Sequence, residues 1–259
     1  MVKIRESIVA TALLAADAAG EVIRPYFRAP MTAELKGDLS PVTRADREAE
    51  QAMRAVIAEQ HPNHGLLGEE FGLERGGSDW RWVLDPIDGT RAFITGRPTF
   101  GTLIALLHGG VPVLGIIDQP VTGERWIGVA GEPTRFTGDF GGTVGARNCP
   151  FLSDAELSAT SPEMMGEAWP RWQGLARKVR RTSWGGDCYA YGLLALGQID
   201  VVAERDLKVW DWAALVPVVE GAGGHMCDWR GERLTLESKG DAVAVGDARL
   251  LAQIVEQLA

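Results

Sequence analysis

The residues of this chain best suited to chemistry lie close together at the end of one apolar run. Trp82-Val83-Leu84-Asp85-Pro86-Ile87-Asp88-Gly89-Thr90 reads as a strand that delivers Asp85 to its end, where Pro86 stops it. Pro86 biases Asp85 towards extended backbone and keeps a helix from starting before Asp88. Gly89 permits a turn that other residues resist. Thr90 stands where a short helix could begin, so free amide donors there would point at an anion. Two carboxylates, a hydroxyl and such donors suit a metal ion working on a phosphate. Asp and Gly also mark ordinary turns, yet Asp-Pro-Ile-Asp-Gly-Thr after an apolar strand says more than Asp-Gly-Thr alone.

The charge balance fits that chemistry. A net charge of -9 argues against broad binding to nucleic acid or anionic membranes, which want a basic face. It also sets an acidic protein against an anionic phosphate, unless carboxylates hold cations that invert the local charge. The oxygen-only candidates favour a hard ion such as Mg²⁺ over zinc. The three cysteines, Cys149, Cys188 and Cys227, are far apart and odd in number, which fits small buried residues in a reducing cytoplasm. No stretch reaches the ~20 apolar residues of a membrane span. The apolar start could pass for a signal peptide, but the spacing of Ile4, Ile8, Val22 and Ile23 fits a folded amphipathic helix better.

The elements that must position these groups follow from periodicity and punctuation. A helix is expected from Lys3 to Phe27, ending at Pro30. A second opens at Thr43-Arg44-Ala45-Asp46 and ends at His61-Pro62, with Ala49, Ala52, Met53, Val56 and Ile57 on its apolar side. A short strand, Gly65 to Gly68, leads into Glu69-Glu70; Phe71 to Asp79 reads as a loop and Trp80 to Leu84 as a strand. Three sheet strands follow, Thr102 to Leu107, Val111 to Ile117 and Arg125 to Val129. The Gly-rich stretch from Gly131 to Pro150 marks a subdomain boundary inside a single unit, residues 1–259, between about 1–135 and 150–259. Beyond it, strands near Leu157 to Thr160, Arg181 to Ser183 and Ile199 to Ala203 alternate with helices near Met164 to Lys178, Asp187 to Leu196 and Asp211 to Glu220. Short strands and a helix from Ala248 to Leu258 complete it. That alternation predicts α/β layering.

Taken in order, the motifs resemble the inositol monophosphatase family of metal-dependent phosphatases. The resemblance runs from Lys36 and Thr43-Arg44-Ala45-Asp46 through Gly68-Glu69-Glu70 and Asp85 to Thr90. It continues with Trp210-Asp211-Trp212-Ala213-Ala214 and ends at Glu220-Gly221-Ala222-Gly223-Gly224. It implies alternating layers of helices and sheets (αβαβα), usually a homodimer, and two or three Mg²⁺ ions per site with Mn²⁺ as a substitute. Glu69, Asp85 and the Ile87 carbonyl resemble ligands of a first ion; Asp85, Asp88 and Asp211 resemble ligands of a second. Asp46, Glu69 and Thr90 resemble the groups that hold and activate the attacking water, and the Gly89 and Thr90 amides those that cradle phosphate. Two ions ~3.5–4 Å apart could clamp the attacking and leaving oxygens of an in-line displacement. Phosphatases of the haloacid dehalogenase type carry Asp-x-Asp-Gly-Thr instead. The two residues between Asp85 and Asp88 change the relative direction of the carboxylates on an extended chain and argue against an aspartyl nucleophile.

Structural roles compete for several of these residues. Asp46 could sit in a capping box with Thr43, and Asp211 could be a helix-start carboxylate. Asp187 could be an N-cap, and Glu204 a surface partner of Arg205 or Lys208. Arg91 could contact substrate or phosphate, or lie on the surface. The Gly-rich run after Glu220 reads as a helix end and turn, and His61, His64, His108 and His225 as loop or cap positions.

Within the family, Arg91 to Thr102, Ile116 to Pro120, Glu124 to Trp126 and Gly185-Gly186-Asp187-Cys188-Tyr189-Ala190-Tyr191 look closest to histidinol-phosphate phosphatases. Asp187 and Glu204 could pair with an ammonium and an imidazole. Trp210-Asp211, by contrast, is the inositol-type form. The expectation is a cytoplasmic, Mg²⁺-dependent hydrolase of L-histidinol phosphate serving histidine synthesis and acting through a metal-activated water. The alternative is an inositol-1-phosphate or broad sugar-phosphate phosphatase. A silent regulatory relative would be expected to have lost one of Glu69, Asp85, Asp88, Thr90 or Asp211, and all five are present.

Overall fold

The computed structural model describes residues 3–29, 34–35, 41–42 and 44–259. Lys36, Thr43 and Pro30 lie outside them, and with them the proposed Thr43 cap. The elements in chain order are α1 (Glu6–Ile23), β1 (Glu34–Leu35), β2 (Pro41–Val42), α2 (Arg44–Gln60), β3 (Gly65–Gly68), β4 (Gly72–Glu74) and β5 (Trp80–Asp88). Then come α3 (Thr90–Ile94), β6 (Gly101–His108), β7 (Val111–Gln119), β8 (Glu124–Val129), β9 (Arg135–Thr137) and β10 (Glu156–Ala159). The rest are α4 (Trp169–Ala176), β11 (Arg181–Trp184), α5 (Asp187–Ala195), β12 (Val201–Glu204), α6 (Val209–Trp212), α7 (Leu215–Gly221), β13 (His225–Cys227), β14 (Ala242–Val245) and α8 (Ala248–Leu258).

A seven-stranded sheet runs in the order β4-β3-β5-β6-β7-β8-β9 and a five-stranded sheet in the order β11-β10-β12-β14-β13. In the first sheet only β3 and β5 pair in parallel. In the second, β10 runs parallel to both β11 and β12. Strand alternation sorts side chains to opposite faces. Trp82, Leu84, Ile104 and Ile116 join Val9, Ala12, Met53 and Ile57 of α1 and α2 in one core. Val83, Leu103 and Ile117 face a second core with Tyr191, Trp212 and Val218, closed on its other side by Val202 and Ala244. A third core packs Leu157, Val201 and Val243 against Trp172 and Leu175 of α4 and Leu250 and Ile254 of α8. The order of layers is helix, sheet, helix, sheet, helix, the αβαβα architecture expected.

Gly115 and Gly128 are cross-strand partners on β7 and β8. A Cβ at Gly115 would overlap the Ala214 carbonyl, and one at Gly128 would overlap the Pro217 backbone. The α6–α7 segment therefore lies on the sheet backbone to backbone.

Several boundaries differ from expectation. α1 ends at Ile23, and a 3-10 turn, Arg24–Tyr26, follows. Pro25 has no N–H to continue the helix. The Phe71 to Asp79 loop contains β4, an edge strand paired with β3. The helix expected from Met164 is a 3-10 segment, Pro162–Ala168, broken at Gly166 (φ 47°, ψ -128°) before α4 begins. The helix expected from Asp211 to Glu220 is split into α6 and α7, because Pro217 cannot donate to the Ala213 carbonyl. Pro86 does not stop β5, which runs on to Asp88 with a register shift against β6 between Asp85 and Asp88. β3 ends opposite Leu84, so no ladder bond asks for the missing Pro86 N–H, and the Pro86 carbonyl accepts from Thr102 Oγ1 at 2.8 Å.

Candidate active site

Carboxyl ends of parallel strands from both sheets converge on one region. Glu69 follows β3, Asp85 and Asp88 close β5, and Glu204 ends β12. Open α/β sheets form ligand crevices at such ends. Asp85, Asp88 and Asp211 each offer a carboxylate oxygen, and these atoms lie within 4.8 Å of one another. Asp211 comes from α6, so a bulged strand end and a short helix from the other half of the chain build this cup together.

Asp85 is 1% exposed, and its Oδ1 is buried without a hydrogen-bond partner among the described residues. Burial first, then the charges of Glu69, Asp88, Asp211 and Asp46, push its carboxyl well above the usual range. Burial likewise raises Asp88, with Asp187 and Asp211 adding to it. Asp211 is pushed up to about 7, chiefly by burial, against the pull of the Lys208 backbone. A cup of crowded carboxylates with an orphaned oxygen fits a hard divalent cation, which would satisfy the oxygen and lower all three pKa values.

The other predicted groups surround this cup. Asp46 is 2% exposed on α2, and Glu69 is half-buried, its amide donating to the Leu84 carbonyl at 3.2 Å. Both carboxylates act electrostatically on Asp85. Thr90 Oγ1 donates to the Ile87 carbonyl at 3.1 Å. Gly89 takes φ 82°, and a Cβ there would lie 2.9 Å from Asp187 Cγ, so both backbone shape and space select glycine. Arg91 is exposed on α3.

Asp88 Oδ2 accepts from the Cys188 amide at the start of α5, 2.6 Å away, and Asp211 Oδ2 from the Lys208 amide at 2.6 Å. The helix-start role read for Asp211 thus coexists with membership of the cup. Asp187 is the first residue of α5, with Gly186 before it as N-cap, and adopts φ 44°. It is not the N-cap itself. Burial pushes its carboxyl up to about 6, although Arg97, Thr160 and Arg91 pull it down.

Glu204 is not a surface ion-pair partner. It is 1% exposed, while Arg205 pairs with Asp241 at 3.2 Å and Lys208 with Asp206 at 2.9 Å. Its Oε1 accepts from the amide and hydroxyl of Thr160, at 2.8 and 2.9 Å. Its Oε2 is buried without a partner among the described residues, and burial pushes its carboxyl up to about 8.

The sequence reading missed Glu50. This residue of α2 is fully buried, pairs with Arg54 Nε at 2.7 Å and accepts from the amides of Glu70 (2.7 Å) and Phe71 (3.3 Å). It therefore pins the turn that carries Glu69. Its signal was present: a carboxylate one helical turn after Asp46, in line with Ala49, Met53 and Ile57. Thr160, which ties β10 to Glu204, had no comparable signal.

His61 and His64 lie in the loop after α2, as expected, whereas His108 closes β6 and His225 opens β13. His61 and His64 stack at 4.6 Å, Trp82 Nε1 donates to His64 Nδ1 at 3.1 Å, and Trp80 lies 4.3 Å from His108. The cysteines are all buried and free, as expected. No helix among the described residues is long and apolar enough to cross a membrane.

Five alternating layers with an acidic cup at the strand ends form the setting, and the family and relatives that the chain matches make it a phosphoric monoester hydrolase. The chain belongs to the inositol monophosphatase family, whose sequence model matches residues 4–259. It is 48% identical over 253 residues to the bifunctional phosphatase IMPL2, chloroplastic, of Arabidopsis thaliana, covering 94% of this chain and 72% of that one. It is 40% identical over 225 residues to the histidinol-phosphatase of Mycobacterium tuberculosis, covering 83% and 85%. A solved inositol monophosphatase from Zymomonas mobilis superposes with a TM-score of 0.90 at 48% identity, covering 99% of both chains.

Proposed function

We propose that this chain hydrolyses L-histidinol phosphate to L-histidinol and phosphate, using Mg²⁺ held by Glu69, Asp85, Asp88, Asp211 and the Ile87 carbonyl. The observation that carries the substrate choice is the buried, unpartnered Glu204 Oε2, in electrostatic contact with Asp187. Acceptors kept dry at a substrate site suit an ester that brings its own cationic donors. The ammonium and imidazole of histidinol phosphate supply these, whereas inositol offers hydroxyls alone. Relatives named as histidinol-phosphatases support the reading.

The cations, when bound, supply Lewis-acid polarisation of the phosphoryl group and acidify water. The chain's own groups do the rest. Thr90 commits its hydroxyl hydrogen to the Ile87 carbonyl, which leaves its oxygen lone pairs to accept from a water. Glu69 and Asp46 are the carboxylates that orient that water and take its proton. The Gly89 and Thr90 amides and Arg91 hold the phosphate. Asp187 and Glu204 hold the organic half.

The test is phosphate release from L-histidinol phosphate and inositol 1-phosphate with Mg²⁺, and again with EDTA. A tenfold preference for inositol 1-phosphate would overturn the substrate assignment, and full turnover in EDTA the cation. The second reading, an inositol-1-phosphate phosphatase, is favoured by the 48% identity to a structure described as an inositol monophosphatase and by the inositol-type Trp210-Asp211.

A further inference from the structure

Beside Asp187 opens a cleft of about 200 Å³, lined by Arg91, Arg97, Thr160, Ser161 and Trp184. Trp184 closes β11, an edge strand, directly before Gly185-Gly186-Asp187. Edge strands usually blunt themselves with charge or proline, yet this one ends in an indole that remains 38% exposed. The ring is not loose. It packs on Trp172 with centroids 4.6 Å apart and lies 6.2 Å from Trp169. Trp172 is itself 1% exposed and anchored by its Nε1 donating to the Ala203 carbonyl at 3.0 Å.

Buttressed from behind and partly open in front, Trp184 is a rigid aromatic surface. The charges around it are mixed. Arg97 and Arg91 sit close enough to Asp187 to act on its carboxylate. Such a lining matches an ester carrying both an anion and a cation.

We propose that Trp184 is a specificity-determining residue, the wall against which a flat heteroaromatic ring on the organic half of the phosphate ester stacks. The inference rests on the histidinol-phosphate reading and deepens it. A planar, partly cationic ring gains twice on an indole. Stacking on the indole favours such a ring, and a protonated ring adds a cation–π attraction. An acyclic amino-alcohol phosphate can use the carboxylates but has no ring to place on the wall. Inositol has no π face, and its hydroxyls find neither donor nor acceptor on the ring surface.

The experiment compares wild type, Trp184→Ala and Trp184→Phe on L-histidinol phosphate, ethanolamine phosphate and inositol 1-phosphate, with L-histidinol binding measured by calorimetry. In Trp184→Ala, KM for histidinol phosphate and Kd for histidinol should rise about 5- to 70-fold, the equivalent of the stacking and cation–π gains together. The fall in kcat should be smaller, and kcat/KM on the other two esters should change by less than about threefold. Trp184→Phe, which keeps a stacking face, should recover most of the loss. An equal loss on all three esters would mean that Trp184 only supports the fold. No loss on histidinol phosphate would mean that the ring binds elsewhere. Either outcome overturns the inference and leaves the substrate assignment standing, whereas wild-type failure on histidinol phosphate overturns both.

Discussion

Replacing Glu50 with alanine tests whether the Glu69 turn is held from beneath. The substitution strips a fully buried carboxylate from the Arg54 guanidinium, whose side chain is 12% exposed, and from the amides of Glu70 and Phe71. Removing one partner of a buried ion pair costs ~3–5 kcal/mol. Arg54 keeps the Gly72 carbonyl as an acceptor at 2.6 Å, which places the loss at the lower end, about 3 kcal/mol. For a chain of this size that corresponds to a fall in Tm of roughly 10 °C. Glu50→Gln keeps a carbonyl oxygen for the amides but removes the charge that Arg54 faces, so it should lose less than Glu50→Ala, ~2 kcal/mol. Groups that orient metal ligands change metal affinity or activity by ~10–100-fold when removed. The Mg²⁺ concentration for half-maximal phosphate release should therefore rise at least tenfold in Glu50→Ala, below its melting temperature. Urea unfolding in EDTA and a Mg²⁺ titration measure the two effects. A stability loss under 1 kcal/mol, or an unmoved Mg²⁺ requirement in the folded variant, would refute the reasoning.

Asp88→Asn should abolish turnover in steady-state assays while leaving the far-UV circular dichroism unchanged; retained activity would remove Asp88 from the chemistry. Glu204 gives a pH test. Its folded pKa, about 8, lies above the ordinary 4.5 of an unfolded glutamate, so the native chain holds an extra proton between those values. Stability in EDTA should therefore fall as pH rises through that window, by up to ~1.4 kcal/mol per pH unit from this group. Glu204→Gln should flatten the slope in urea titrations from pH 5 to 8, and an unchanged slope would count against the buried neutral carboxyl. Gly89→Ala puts a side chain into left-handed backbone and against Asp187. It should cost ~1–2 kcal/mol in unfolding free energy and raise KM; a variant with wild-type values would show that the turn has slack.

The parts of the site legible in the sequence were those encoded in short contiguous patterns. Asp85 to Thr90 announced itself because an apolar strand, a proline and a glycine fix direction locally. Asp211 could be placed because Trp210-Asp211-Trp212-Ala213-Ala214 is a contiguous motif that resembles the family's, although a helix-start role competed for it. What escaped depended on distant partners. Glu50 looked like one charge among many on α2 until β3 and its turn were laid over it. For Glu204 the basic neighbours Arg205 and Lys208 kept a surface ion pair open beside substrate contact, until strand geometry turned it inward to Thr160. The fold class followed from alternation. Boundaries failed where one residue competed with a strong periodic pattern, as Pro25 and Pro217 did in helices, or where tertiary pairing overrode a breaker, as at Pro86.

The paired glycines Gly115 and Gly128 let main chain touch main chain where the central helices meet the larger sheet. At these two positions the sheet offers no side chain, so nothing on it can change rotamer there to let the layers slip. The span from the strand that bears Asp85 to the helix that bears Asp211 is set by bond lengths and van der Waals radii. A cation arriving at these carboxylates meets a socket whose width was decided when the chain folded.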